Sequence, residues 1–311
     1  MQIEIIGAES LGVRSLCTVI KTKDRNIVID PGIALGFKRH GLLPHPVQVT
    51  VCEKIRRLII ESVKNATDIV ISHYHGDHHP LVNANPYQLS VKKIINNCTH
   101  ARFWTKGTND LSINQINRAK ALSKHLGRTL PVAEGKSNGP LCFSLPVPHG
   151  EQNGPGGSVM MTRVEEDGEI FVHASDIQML NNDAIDQIIA WKPNIIIASG
   201  PPLYLHNLTL EKKESVLQRT LHLAQKVETL ILDHHLMRSK EGEQWLDHLS
   251  AMVSHEHKVI CAADFMGIPR NLLEAERIFW YKKLPVPEGW HEAYARGEIN
   301  LTRKDKVFSS I

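Results

Sequence analysis

The stretch His73-Tyr74-His75-Gly76-Asp77-His78 follows directly on the apolar run Asp68-Ile69-Val70-Ile71-Ser72, and it decides how the rest of the chain is read. With 18 histidines in 311 residues, a chance H-x-H-x-D-H match anywhere in the chain has a probability of about 0.003, so the pattern demands a chemical explanation. In a loop leaving a strand, His73 and His75 can turn toward one ion while Asp77 and His78, one turn of chain further, face a second. Imidazole and carboxylate suit zinc or another first-row divalent ion and leave a coordination position for water, whereas a closed structural site would use thiolate.

Outward from that motif, apolar runs at 27–32, 68–73, 144–149, 170–176, 195–200, 230–235 and 259–264 read as buried strands, several ending in His or Asp. Apolar stripes with helical spacing at 51–63, 111–126, 184–191, 216–227 and 245–253 read as amphipathic helices packed on sheets. Residues 2–30 instead alternate around Gly7, Gly12 and Lys23-Asp24-Arg25-Asn26, as antiparallel strands with turns do. The segment 33–48 reads as a loop, either flanking a pocket or making an ordinary surface excursion. Strand ends carrying His and Asp are where open α/β sheets place their ligands.

Composition narrows the function classes. Hydrophobic content of 42% and charged content of 22% are those of a globular chain, with no linker-like segment, so a single domain spanning 1–311 is expected. A formal charge of +3 does not suggest a dedicated nucleic-acid or membrane surface, and nucleic acid stays possible only as a substrate without support from charge. No apolar run approaches the roughly 20 residues of a membrane span, and Met1-Gln2-Ile3-Glu4-Ile5 has no leader pattern. A soluble, cytoplasmic protein is the expectation. Cys17, Cys52, Cys98, Cys142 and Cys261 lie far apart without a C-x-x-C pair, which argues for reduced core thiols.

The motif resembles the second signature of the metallo-β-lactamase superfamily, and the resemblance extends in order along most of the chain. Asp30 in Ile29-Asp30-Pro31-Gly32 matches the first signature, His149 in Pro148-His149-Gly150 the third, and Asp176 in Ala174-Ser175-Asp176 the fourth. Leu232-Asp233-His234-His235 matches the fifth, with His234 standing after its strand as His73 stands after Ile71-Ser72, and His235 as the alternative. The wording at Gly7-Ala8-Glu9-Ser10-Leu11-Gly12-Val13-Arg14-Ser15 and Leu81-Val82-Asn83-Ala84-Asn85-Pro86-Tyr87 resembles a mainly archaeal family within that superfamily, which supplies a fold but no substrate. The resemblance implies a four-layer αββα sandwich (α/β, α+β class). It also implies one metal site of His73, His75 and His149 and a second of Asp77, His78 and His234, bridged by Asp176. His79-Pro80 departs from the family pattern, and Pro80 is expected to redirect the next segment toward the pocket.

The expected cofactors are therefore two divalent ions, zinc before iron or manganese, and the expected activity is hydrolysis by a metal-bridging hydroxide. Asp77 and Asp30 are the candidate catalytic residues: Asp77 as a ligand that also steers a proton, Asp30 as the group orienting a ligand histidine or else capping its turn. Ser72 and Ser175 lack an elbow motif and read as turn residues. His79, His173, His235 and Asp264 are candidates for the pocket, His173 more as a hydrogen-bonded structural residue. Arg14, Lys38, Arg39, Arg238 and Arg270 can bind a phosphate or remain scattered solvated charges. A phosphodiester and a carboxylic ester, thioester or lactone both remain open. No inserted clamp or flavodoxin-like extension is visible, which argues against the nucleases and oxygen-reducing di-iron members that carry them. A non-hydrolytic iron-dependent oxygenase or metal-bearing binding protein is the alternative. Trp280, Tyr281, Trp290 and Tyr294 can seal a pocket, an interface or the core.

Overall fold

In the computed structural model, which describes residues 1–151, 157–205, 208–299 and 301, the alternating N-terminal segment forms antiparallel strands β1 (Gln2–Ile5), β2 (Thr18–Lys21) and β3 (Asn26–Ile29). β4 (Asp68–Ile71) and β5 (Arg102–Thr105) add in parallel, giving a five-stranded sheet in the order β1-β2-β3-β4-β5. A parallel neighbour requires a crossover, and α1 (Pro46–Lys64) supplies it between β3 and β4; α2 (Ile113–Leu126) follows β5.

The second sheet begins with β6 (Ser137–Asn138) and β7 (Leu141–Phe143); β8 (Val147–Pro148) and β9 (Ser158–Val159) pair apart from it as a short ribbon. β10 (Thr162–Glu166) joins β7 and is followed by β11 (Glu169–His173), β12 (Ile195–Ala198), β13 (Thr229–Leu232) and β14 (Lys258–Ile260). The last four run parallel, connected by α3 (Asn182–Ala190), α4 (Leu210–Ala224) and α5 (Lys240–Met252), in the order β14-β13-β12-β11-β10-β7-β6. α6 (Ala262–Phe265), α7 (Arg277–Lys283) and α8 (Trp290–Ala295) complete the described helices.

Ile20, Ile29 and Ile71 from the first sheet and Val164, Val172 and Ile197 from the second belong to one continuous buried apolar cluster. The helices bury one stripe each, Ile55, Ile59 and Val63 on α1 and Leu246 and Leu249 on α5, completing the expected αββα sandwich. Helices start where the sequence offers an acceptor to their free N–H groups: Ser112, Asn181, Thr209 and Ser239 each accept from the first turn. No helix among the described residues is long and apolar enough to cross a membrane.

Some expectations are corrected. The run 144–149 is not one buried strand: it bends between β7 and β8, because Pro146 and Pro148 lack N–H donors, and Leu145 is left 69% exposed. The run 259–264 ends as a strand at Ile260 and turns into α6, with Asp233 accepting from the Ala262 N–H at 2.9 Å. The loop 33–48 stops at His45, whose Nδ1 accepts from the Val47 N–H at the start of α1. β5 was not anticipated; the Trp104 indole N–H donates to Asp68 at 2.8 Å across β4. Trp280 and Trp290 are buried in apolar clusters, the core role of the three considered.

Gly32 is the tightest backbone contact near the motif. A Cβ there would lie 2.2 Å from His79 N and 2.4 Å from His78 C, both backbone atoms that cannot step aside. Gly32→Ala is therefore expected to destabilise the fold by about 1–3 kcal/mol, read as a lowered midpoint in urea unfolding with unchanged slope.

Candidate metal centre

The parallel strands bring their carboxyl ends to one edge. Asp30 follows β3, the segment Ser72 to His78 follows β4, Asp176 follows β11, and His234 and His235 follow β13; His149 follows the short β8. Asp30 and Ser175 both hold left-handed backbone, each with φ of 50°. Non-glycine residues adopt that conformation rarely, so the surrounding bonds must hold them there.

Those bonds converge on Asp30, which is fully buried. Its carboxylate accepts from the Ser72 N–H at 2.8 Å, the Ser72 hydroxyl at 2.5 Å and His78 Nδ1 at 2.8 Å, with the Ser175 hydroxyl at 3.3 Å. Burial pushes this carboxyl up, but the hydrogen bond and charge of His78 outweigh it and hold Asp30 at about 2. Ser72 Oγ and Ser175 Oγ lie 2.6 Å apart, so the hydroxyls join the two sheets directly. Ser72 and Ser175 are thus more than turn residues: they fasten Asp30.

Around Asp176 the candidate ligands divide into two sets. His149 Nε2, His73 Nε2 and His75 Nδ1 lie 2.9, 3.5 and 3.9 Å from Asp176 Oδ2. His78 Nε2 and His234 Nε2 lie 3.1 and 3.8 Å from Asp176 Oδ1, and His234 Nε2 lies 3.3 Å from Asp77 Oδ2. Within the set His73, His75, His149 and Asp176, and within the set Asp77, His78 and His234, one donor atom from each residue lies within 4.8 Å of the others. The two oxygens of Asp176 thus face different sets. Burial raises the Asp176 carboxyl, but the charges of His78, His235 and His234 drive it well below the usual carboxylate range.

A fit to cations is visible in two buried atoms. His78 Nε2 and Asp176 Oδ1 are both buried and form an ion pair at 3.1 Å, yet neither makes a well-aligned hydrogen bond among the described residues. Buried polar atoms are rarely left so, and an ion between them would satisfy both.

His234 groups with Asp77 and His78 and also with Asp176 and His235, the alternative last ligand, whose Nε2 lies 3.5 Å from Asp176 Oδ2. The Gln178 amide nitrogen stands 3.0 Å from His149 Nδ1 and 3.1 Å from His235 Nδ1, and Gln115 Nε2 stands 3.3 Å from His75 Nε2. Neither glutamine was anticipated, since no motif spacing marks them. Other candidates fall elsewhere. His79 is turned to the Pro80 and Tyr74 carbonyls, and His173 to the Leu16 carbonyl, the structural role anticipated for it. Asp264 caps α6 and pairs with Arg270, which also binds Asp247. Lys38 is exposed, whereas Arg238 reaches the centre, its Nη2 2.6 Å from His234 Nε2. After Pro80, Leu81 pairs with Leu89 and Leu89 with Ile33, so the redirected segment docks on the 33–45 loop.

Fold and site together define the class: residues 11–160 match the model of the Metallo-beta-lactamase superfamily. Within that class the chain belongs to the UPF0282 family, an archaeal family of metallo-β-lactamase fold. It is 49% identical over 301 residues to a Methanosarcina mazei member, covering 97% of this chain and 98% of that one. It is 32% identical over 293 residues to a Thermococcus gammatolerans member, covering 91% and 96%. A solved structure described as a metal-dependent hydrolase of the β-lactamase superfamily superposes with a TM-score of 0.46 at 12% identity, covering 79% of this chain and 91% of that one.

If His78 Nε2 and Asp176 Oδ1 serve cations, zinc added to chelator-treated protein should stabilise it. At free zinc a hundred times the dissociation constant the gain is about 2.7 kcal/mol, read as a raised unfolding temperature. His78→Ala is expected to remove most of that gain.

Proposed function

We propose that this protein is a metal-dependent hydrolase working with two divalent ions, zinc foremost. His73, His75 and His149 would hold one, Asp77, His78 and His234 the other, and Asp176 would bridge them. The supporting observation is the buried ion pair of His78 Nε2 and Asp176 Oδ1, 3.1 Å apart, in which neither atom makes a well-aligned hydrogen bond among the described residues. When bound, such ions lower the pKa of a water toward neutrality and polarise the substrate oxygen that gains negative charge.

The chain's own residues prepare that chemistry. Asp30 accepts the Nδ1 proton of His78 and fixes the ring so that Nε2, now paired with Asp176 at 3.1 Å, would be free to meet a cation that takes the place of its proton. Gln178, whose amide nitrogen stands beside Nδ1 of both His149 and His235, would fix the orientation of both rings. Asp77 is the most solvent-accessible carboxylate of the group, its side chain 17% exposed against 1% for Asp176, and so is placed to pass a proton to a leaving group. Ser72 is committed to Asp30 and Ser175, so neither serine is the nucleophile. A phosphodiester, ester, thioester or lactone bond suits this arrangement.

Protein purified without chelators is expected to carry close to two equivalents of divalent metal and to turn over one of those model substrates. Asp176→Asn should abolish turnover and lower metal content. Metal below one equivalent in the wild type, or hydrolysis that survives Asp176→Asn, overturns the reading; a coloured, oxygen-reactive iron centre would support an oxygenase instead. Gln178→Ala is expected to weaken metal affinity by about tenfold in a competitive chelator titration while the fold persists.

A further inference from the structure

Beside the Asp77 and His234 edge, four guanidiniums gather around two buried carboxylates, Glu9 and Glu274; Arg238 and Arg277 are themselves buried, while Arg14 and Arg39 keep 25% and 15% of their side chains exposed. Arg238 Nη2 lies 2.6 Å from His234 Nε2 and 3.6 Å from Asp77 Oδ2; its Nη1 donates to the Tyr204 hydroxyl at 3.2 Å and its Nε to Glu9 at 3.4 Å. The Arg39 guanidinium sits 4.8 Å over the Tyr204 ring, and its Nη2 donates to the Arg238 carbonyl at 2.9 Å. Arg14 forms a two-pronged pair with Glu274, which Arg39 and Arg277 also approach at 3.9 Å. Glu9 and Glu274 thus balance at most two of these four guanidiniums. Asp77, the next carboxylate, already belongs to the metal-ligand set.

Because Arg14 and Arg39 reach solvent, this flank presents positive charge to an anion arriving from outside. Arg277 is spent on the Gly36 and Leu42 carbonyls and on Gln48. Arg39 is not: its Nε is buried with no hydrogen-bond partner among the described residues, while its side chain remains 15% exposed and reachable. Resting on the hydrolase reading, we infer that Arg39 and Arg238 form an oxyanion subsite and that the substrate is a phosphate ester whose charge lies on the scissile group itself.

The position of the charges decides between substrate classes. Arg238 touches the same nitrogen that faces Asp77, so a ligand group within its reach is the group at the metal centre. A phosphate ester carries its negative charge there, in the tetrahedral form that guanidinium forks match. A carboxylic ester, thioester or lactone is neutral at the reacting atom and would make no use of that charge.

The test is calorimetric titration of inorganic phosphate and of acetate into wild type and Arg39→Gln, each in metal-loaded and chelator-treated form, with metal content measured on the same samples. Phosphate is expected to bind the wild type at least about tenfold more tightly than acetate, the scale of one charge-assisted hydrogen bond. Arg39→Gln should lose that preference while keeping wild-type metal content and unfolding temperature; Arg39→Lys should restore part of it. Equal phosphate affinity in wild type and Arg39→Gln, or no preference over acetate, overturns the subsite. Absent metal uptake overturns the hydrolase reading instead, and the chelator-treated titrations then still decide the subsite.

Discussion

The structure turns on the buried carboxylate of Asp30. A charge fully removed from water is tolerated only when its lone pairs are filled, and here Ser72, His78 and Ser175 fill them. Because those donors come from the loop after β4 and the turn after β11, satisfying one carboxylate also locks the two sheet edges together. The left-handed backbone at Asp30 and Ser175 and the close approach of Gly32 to His78 and His79 follow from the same convergence.

What Asp30 orders is a centre with too many donors and too little to receive them. His73, His75, His78, His149, His234 and His235 surround Asp176, and several rings are left facing one another, as His73 Nε2 and His75 Nδ1 do at 2.9 Å. Such crowding of like groups gains little by itself, and divalent cations would turn it into an advantage. Polar groups just behind the ring set each imidazole's orientation: Asp30 for His78, Gln178 for His149 and His235, Gln115 for His75. Arg238 occupies the remaining side, against His234, so the centre is cationic on the flank where Tyr204 and Arg39 meet it.

Much of this was legible in the chain as written. Parallel strands buried on both faces read as unbroken Val and Ile runs, so β3, β4, β11, β12 and β13 stand out, and the amphipathic stripes between them mark the crossover helices. Where prolines interrupted the run before His149, the apolar pattern misled, because hydrophobicity carries no information about missing N–H donors. β5 escaped notice because its four residues alternate in burial and its one anchor, Trp104 to Asp68, crosses between strands.

The candidate ligands were readable because spacing after a strand end is a local property: H-x-H-x-D-H needs only its own loop to present its groups. Partners that meet across the sandwich obey no such spacing. Nothing in the order of residues announces that Ser175 will reach Ser72, that Gln178 will stand between His149 and His235, or that Arg39 and Arg238, far apart in sequence, will share Tyr204 while Arg270 turns away to Asp264. Those pairings arise when two sheets pack face to face and each buried polar atom must take whatever donor or acceptor the opposite layer brings within about 3 Å. Hence the types of the candidate ligands and their order belong to the chain, while their division around the two oxygens of Asp176, and the cationic flank beside them, belong to the packing.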